Sequence, residues 1–92
     1  MDPPDPVVAA ADGEVAVITE SLGGLGTIVL IRHRDDILTV YGRVERITVR
    51  KGALVRAGQT IGVVASPSGG GQPTMHFEVR QGATVLDPML FL

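Results

Sequence analysis

Apolar and polar residues alternate in short runs along the chain. No stretch keeps the three-to-four-residue spacing of an amphipathic helix. Val7–Ala11 reads as a short strand that ends at the Asp12-Gly13 turn, and Glu14–Thr19 alternates weakly as a second strand. Gly23–Gly26 is a loop. Thr27–Arg34 and Ile37–Arg43 are strands joined through Asp35-Asp36, which predicts a hairpin. Ile47–Val49 leads to a turn at Arg50-Lys51-Gly52, and Gln59–Ala65 is a strand after the Gly58 turn. Ser66–Pro73 is a glycine-rich loop that no regular element could hold. Thr74–Arg80 alternates strictly, Gln81-Gly82 turns the chain into Thr84–Leu86, and Asp87-Pro88 opens the tail. The expectation is an all-β domain, a small sandwich or barrel of about seven or eight short antiparallel strands with little or no helix. No internal repeat is convincing, although Asp12–Val15 and Lys51–Val55 share a turn-then-strand plan.

Composition agrees with this pattern. The 92 residues fit one small domain, and the apolar set is dominated by 13 Val and 6 Ile, side chains that are stiff at χ1 and suit a pleated surface. Twelve Gly and six Pro punctuate the strands. The net charge of −2 does not point to nucleic acid. The charge is uneven, because residues 1–20 hold five acids and no base whereas residues 21–92 hold eight bases and five acids. The body therefore permits an arginine-lined surface. There is no cysteine, which excludes disulfides and thiolate metal sites. No apolar run approaches a membrane helix, and no signal peptide is visible at the start. Residues 1–6 read as the end of a linker or a cloned start, with the domain over 7–92, and the chain reads as a fragment of a longer protein.

Few residues offer chemistry. In an extended Thr74–Val79, Thr74, His76 and Glu78 share a polar face, while Met75, Phe77 and Val79 share the face that enters the core. His33 ends an apolar strand, where a lone histidine is structural and hydrogen-bonded to its neighbours. Two histidines and a carboxylate could in principle reach the three ligands of a catalytic zinc, but no pair stands at ligand spacing. Asp35-Asp36 belongs to a turn, not to an acid/base dyad. The serines at 21, 66 and 68 lie in glycine-rich loops without a nucleophile elbow, and Gly69-Gly70-Gly71 lacks the lysine and helix of a phosphate loop. Arg43 ends the strand Thr39–Arg43, where alternation puts it on one face with Tyr41. Tyr and Arg are the residue types that dominate protein interfaces.

From Val7 to its end the chain resembles the LytM-type, lysostaphin-like metallopeptidase domain. Val8–Val15, Gly24–His33, Thr39–Val44, Val49–Gly62, Thr74–Val79 and Asp87-Pro88 match that family's pieces in the family's order. The resemblance implies its LytM-like fold, a duplicated hybrid motif. Active members hold zinc by an upstream histidine and aspartate and by the second histidine of a His-x-His, which corresponds to His76. The first histidine of that motif is Thr74 here, and the histidine of the family's Tyr-Ala-His-Leu is Arg43. Threonine cannot shuttle a proton through a nitrogen lone pair, and arginine stays protonated at neutral pH.

The resemblance therefore implies a domain that is not an enzyme and needs no metal or other cofactor. Tyr41-Gly42 and the run Gly70–Arg80 are also similar to the EnvC-type branch of amidase activators. By that resemblance the partner is an N-acetylmuramoyl-L-alanine amidase, relieved of an autoinhibitory helix in the periplasm or cell envelope during cell division. Tyr41, Arg43, Thr74 and His76 are expected to line the partner-binding groove. The alternative is a peptidoglycan-binding or scaffolding domain without amidase contact. A zinc enzyme working in an altered way is a further reading. A biotinyl or lipoyl carrier is set aside, because Lys51, the only lysine, is not at a Met-Lys-Met-like tip.

Overall fold

The computed structural model describes residues 5–20, 26–65 and 75–81, and the backbone of 84–86. Among these residues eight strands form, β1 Pro6–Val8, β2 Gly13–Glu20, β3 Thr27–Arg32, β4 Ile37–Glu45, β5 Leu54–Val55, β6 Thr60–Val64, β7 His76–Gln81 and β8 Thr84–Leu86. A single 3₁₀ turn, Arg34–Asp36, joins β3 to β4. All pairings are antiparallel. The sheet runs β1-β6-β4-β3-β2-β5, with β7 paired to β4 and β8 to β7. It is a curled half-barrel, as the alternating pattern predicts. The loop expected at Ser66–Pro73, the Gly23–Leu25 part of the glycine loop, Gly82 and Asp87-Pro88 lie outside the described residues.

β4 is the hub. One edge pairs with β3 throughout, from Arg32↔Leu38 to Thr27↔Val44. The other edge pairs Ile37–Gly42 with β7 and then Val44-Glu45 with β6. The change of partner coincides with a β-bulge, because Val29↔Tyr41 and Thr27↔Val44 leave one extra residue on β4. A bulge bends its strand and raises the local twist. That bend turns one strand into the corner between two parts of the sheet.

The inner face holds the core, Val7, Ala9, Val15, Val29, Ile31, Tyr41, Val44, Val55 and Ile61, with Ile18, Ile47, Val49, Ala53, Val64 and Phe77 packed against it. A second bulge, between Val15 and Val17, explains the weak alternation of β2. It adds Ala16, so Val15 and Ile18 both face the core while Val17 and Thr19 face outward. The strict alternation of β7 holds for Phe77 and Val79. Met75 departs from it, being 38% exposed just before the first paired residue, His76. Pro6 pairs with Val63 and the Asp5 carbonyl accepts the Val64 N–H, so Asp5 and Pro6 belong to the sheet.

The two turn-then-strand pieces meet in space. Gly13 pairs with Val55 and Glu14 with Leu54, and the Val15 and Gly52 backbones bond across the same junction. Gly13 permits this approach. A Cβ there would meet the Arg32 carbonyl oxygen and lie 2.8 Å from both His33 Nδ1 and the Ile31 side chain. Between β3 and β4, Asp35 and Asp36 have φ of 60° and 59°, the left-handed pair of a primed hairpin turn. They act as turn residues, as expected. Gly13→Ala is expected to lower the free energy of unfolding by about 2 kcal/mol, because its nearest obstacle is backbone that cannot rotate away. Urea unfolding measures this, and an unchanged midpoint would contradict the close approach.

Candidate functional site

The outer face of β2-β3-β4-β7 carries the candidate site. Residues directly opposite in an antiparallel pair share a face, so the registers define cross-strand rows. One row is Glu14–Arg32–Leu38–Arg80, the next is Val17–Leu30–Val40–Glu78, and beyond it Gly42 stands opposite His76. Ile28, Leu30, Leu38 and Val40, with Thr19 and Arg80, line a cleft of about 290 Å³ on this face.

β7 contributes a ladder of three alternate side chains. His76 Nε2 donates to Glu78 Oε1 at 2.7 Å, and Arg80 donates Nε and Nη2 to Glu78 Oε2 at 2.9 and 2.7 Å. Their two-residue spacing on an extended strand puts all three on one face. The Arg80 guanidinium, and then His76, hold the Glu78 carboxyl below its ordinary value of 4.5 against the opposing effect of burial. The carboxylate is thus committed to two donors.

Arg43 sits at the β4 bulge with φ of 58° and is exposed. Its carbonyl accepts the Ala65 N–H at 2.8 Å. The adjacent Gly26 also has positive φ, 62°, and a Cβ there would lie 3.5 Å from the Arg43 Cα. The bulge therefore points the Arg43 side chain away from the core. Plain alternation would have put Tyr41 and Arg43 on one face. The left-handed residue breaks that period, and here the structure corrects the sequence expectation.

Tyr41 is 1% exposed and belongs to the core, not to the surface of a groove. Its hydroxyl accepts the Ala10 N–H at 2.9 Å and lies 2.8 Å from Thr39 Oγ1, and its ring packs 5.4 Å from that of Phe77. Burial raises its pKa, opposed by the bonds to Thr39 and Ala10. Thr39 Oγ1 also lies 2.7 Å from His33 Nε2, and His33 Nδ1 lies 2.7 Å from the Asp12 carbonyl oxygen. A carbonyl only accepts, so Nδ1 carries a proton. His33 is structural, as expected, and the chain from Asp12 to Ala10 ties the β1–β2 turn to β4. Sequence reasoning noticed His33 and Tyr41 separately but not Thr39, which joins them at 4% exposure. Thr74 lies outside the described residues. Of the four expected groove residues, the structure thus puts Arg43 and His76 on accessible surface and Tyr41 beneath it. Sequence reasoning missed Arg80 as a site residue, although its place two residues beyond Glu78 was a usable signal.

Residues 1–88 match peptidase family M23, and the chain belongs to that family. The fold is that of the lysostaphin catalytic domain from Staphylococcus simulans, with a TM-score of 0.82 and 28% identity over 99% of this chain and 72% of that one. The murein hydrolase activator NlpD of Escherichia coli is 34% identical over 94% of this chain and 22% of its own length. The cell division protein DipM of Caulobacter vibrioides is 34% identical over 89% of this chain and 14% of its own. The uncharacterized lipoprotein YgeR of Escherichia coli is 33% identical over 95% of this chain. This chain spans about a third of the length of YgeR and less of the other two. The resemblance to a LytM-type domain related to amidase activators thus holds. No helix among the described residues is long and apolar enough to cross a membrane.

A family that includes zinc peptidases raises the question of metal. Among the described residues no group of three or more His, Cys, Asp or Glu gathers at metal distance. His76 spends Nε2 on Glu78, and the other oxygen of that carboxylate is held by a guanidinium. The Glu78 carboxylate is already paired with a fixed cation, which leaves His76 Nδ1 as a single donor at this place, whereas a catalytic zinc needs three protein ligands.

Two outcomes follow from the site. Left-handed φ costs a non-glycine residue about 1–2 kcal/mol, most for a β-branched one. Arg43→Val is therefore expected to destabilise by about that amount, and Arg43→Gly to be neutral or stabilising. Denaturant midpoints of the pair check this, and equal destabilisation would refute the bulge geometry. Glu78 is ionised more readily in the folded state, so its contribution is present above pH 4.5 and lost as pH falls through the lowered folded value. The melting-temperature gap between wild type and Glu78→Gln should be full near neutrality and close on acidification. A gap that grows as pH falls would have the wrong sign.

Proposed function

We propose that this domain is a non-catalytic module that binds and activates a peptidoglycan amidase of the N-acetylmuramoyl-L-alanine class in the cell envelope during cell division. The observation that carries the reading is the fate of the enzymes' chemical positions. Where the family has a histidine able to take a proton, this chain has Arg43, exposed at a bulge and permanently charged. The retained His76 donates Nε2 to Glu78, and no set of three ligating side chains gathers around it among the described residues. What remains is a sheet face with an apolar cleft and charged rim, the makings of a protein-recognition surface. The names of the relatives, a murein hydrolase activator and a cell division protein, agree with this assignment.

Activation on this reading works by engaging the helix that blocks the amidase zinc and drawing it out of the active site. A helix docks through apolar anchors, with polar contacts at its edges. The cleft supplies the apolar part, and Arg43, His76 and Thr74 the polar part. The periplasm is the compartment where such amidases meet peptidoglycan.

The test is hydrolysis of dye-labelled peptidoglycan by purified envelope amidases, with and without the full-length protein. Stimulation is expected with wild type, and no hydrolysis is expected from the protein alone. Losing a central arginine anchor costs on the order of 2 kcal/mol of binding, so Arg43→Ala should weaken the amidase complex by about thirtyfold. Full affinity of Arg43→Ala, or hydrolysis by the protein alone, would overturn the assignment.

A further inference from the structure

The outer face has a charge pattern that specifies what should lie on it. Arg32 and Arg80 flank Leu38 on neighbouring strands, in one cross-strand row. Strands in a sheet are about 4.8 Å apart, so the two arginine backbones are roughly 10 Å apart. Both guanidiniums are accessible, with side-chain exposures of 60% for Arg32 and 42% for Arg80. Arg32 approaches Glu14 only at 3.8 Å, a loose and solvent-exposed pair of a kind worth little in water. Glu78 is shared between Arg80 and His76. Two carboxylates thus serve two guanidiniums and an imidazole on this face, and both guanidiniums keep donors free for a further acceptor. Beside the row, Ile28, Leu30, Leu38 and Val40 give the cleft aliphatic walls, and Thr19 and Arg80 complete its lining.

We infer that this face selects an acidic amphipathic helix of a partner protein, with one aliphatic anchor in the cleft and carboxylates set on Arg32 and Arg80. The inference rests on the reading that this face receives a partner segment, and it names that segment's chemistry. A helix rises 1.5 Å per residue, so positions i and i+7 are about 10.5 Å apart on one face, close to the arginine spacing. An aliphatic residue at i+4 then lies between the two acids, over the cleft. A new carboxylate would displace the weak contact of Glu14 and use Arg80 donors that Glu78 leaves free. Arginine is suited to this because its planar fork offers five donors. The expected signature is an acid, an aliphatic residue four positions on, and a second acid three beyond that.

The test uses the folded protein and a stapled helical peptide of otherwise neutral residues carrying Glu at i, Leu at i+4 and Glu at i+7. Two controls replace both Glu by Lys, or Leu by Ser. Isothermal titration at low and high salt is the readout. The acidic peptide is expected to bind about tenfold or more tightly than either control, a margin typical of charge-assisted hydrogen bonds. Raising the salt should shrink the advantage over the lysine peptide. Arg32→Gln and Arg80→Gln are surface changes that leave the core intact, and each should reduce the discrimination. Equal binding of the three peptides, no binding of any, or discrimination unchanged in both variants would overturn the inference. Failure of the amidase reading looks different. A protein that selects the acidic peptide but stimulates no amidase keeps this recognition chemistry and loses that partner. A protein that stimulates an amidase but ignores the peptide charge keeps the partner and loses this inference.

Discussion

The architecture depends on one strand changing partners. Ile37–Glu45 holds β3 on one edge along its length, and on the other edge passes from β7 to β6. A regular strand cannot do this without bending. The bend comes from one extra residue at the bulge, with Arg43 in a left-handed conformation. Such a conformation is unfavourable for a side chain larger than glycine, so the surrounding sheet must hold it. Buried Tyr41 and Val44 on either side, and the bond from Ala65 to the Arg43 carbonyl, do that work. The same strain takes Arg43 out of the core. Fold and site thus share a single local cause.

Polar order beneath the sheet supports the bulge. The contacts from the Asp12 carbonyl through His33, Thr39 and Tyr41 to the Ala10 amide join residues distant in sequence. No buried side-chain polar atom among the described residues lacks a hydrogen-bond partner. A satisfied network rigidifies, whereas a broken one would bear the cost of desolvated groups. The tyrosine that composition marks as an interface residue is instead a strut between the β1–β2 turn and the hub strand.

On the outer face the chemistry follows from commitments already made. A carboxylate that receives three hydrogen bonds from a guanidinium and an imidazole is held ionised. It has little capacity left to serve as a base or a metal ligand. The histidine commits one of its two ring nitrogens to that carboxylate. Peptidase ancestry and a recognition role are compatible on this scaffold, because function resides in a few groups set on a fold and not in the fold itself.

The order of strands, the Asp35-Asp36 hairpin and the two faces of β7 were legible in the residues, because alternation and turn chemistry are local and need only neighbours. The family's motifs were legible for the same reason. They marked Arg43, His76 and Thr74 as positions that matter, the last of them outside the described residues. Burial of Tyr41 was not legible, since period-two alternation assigns it the face of Arg43 until a bulge breaks the period. The bulge at Ala16 hid the face of Val17 in the same way. Arg80 gained its place in the ladder, and Thr39 its place in the network, only through contacts made across strands. Sequence by itself determined a small all-β domain of this family. Tertiary structure decided which side chains meet, because bulges and cross-strand registers depend on residues far apart in the chain.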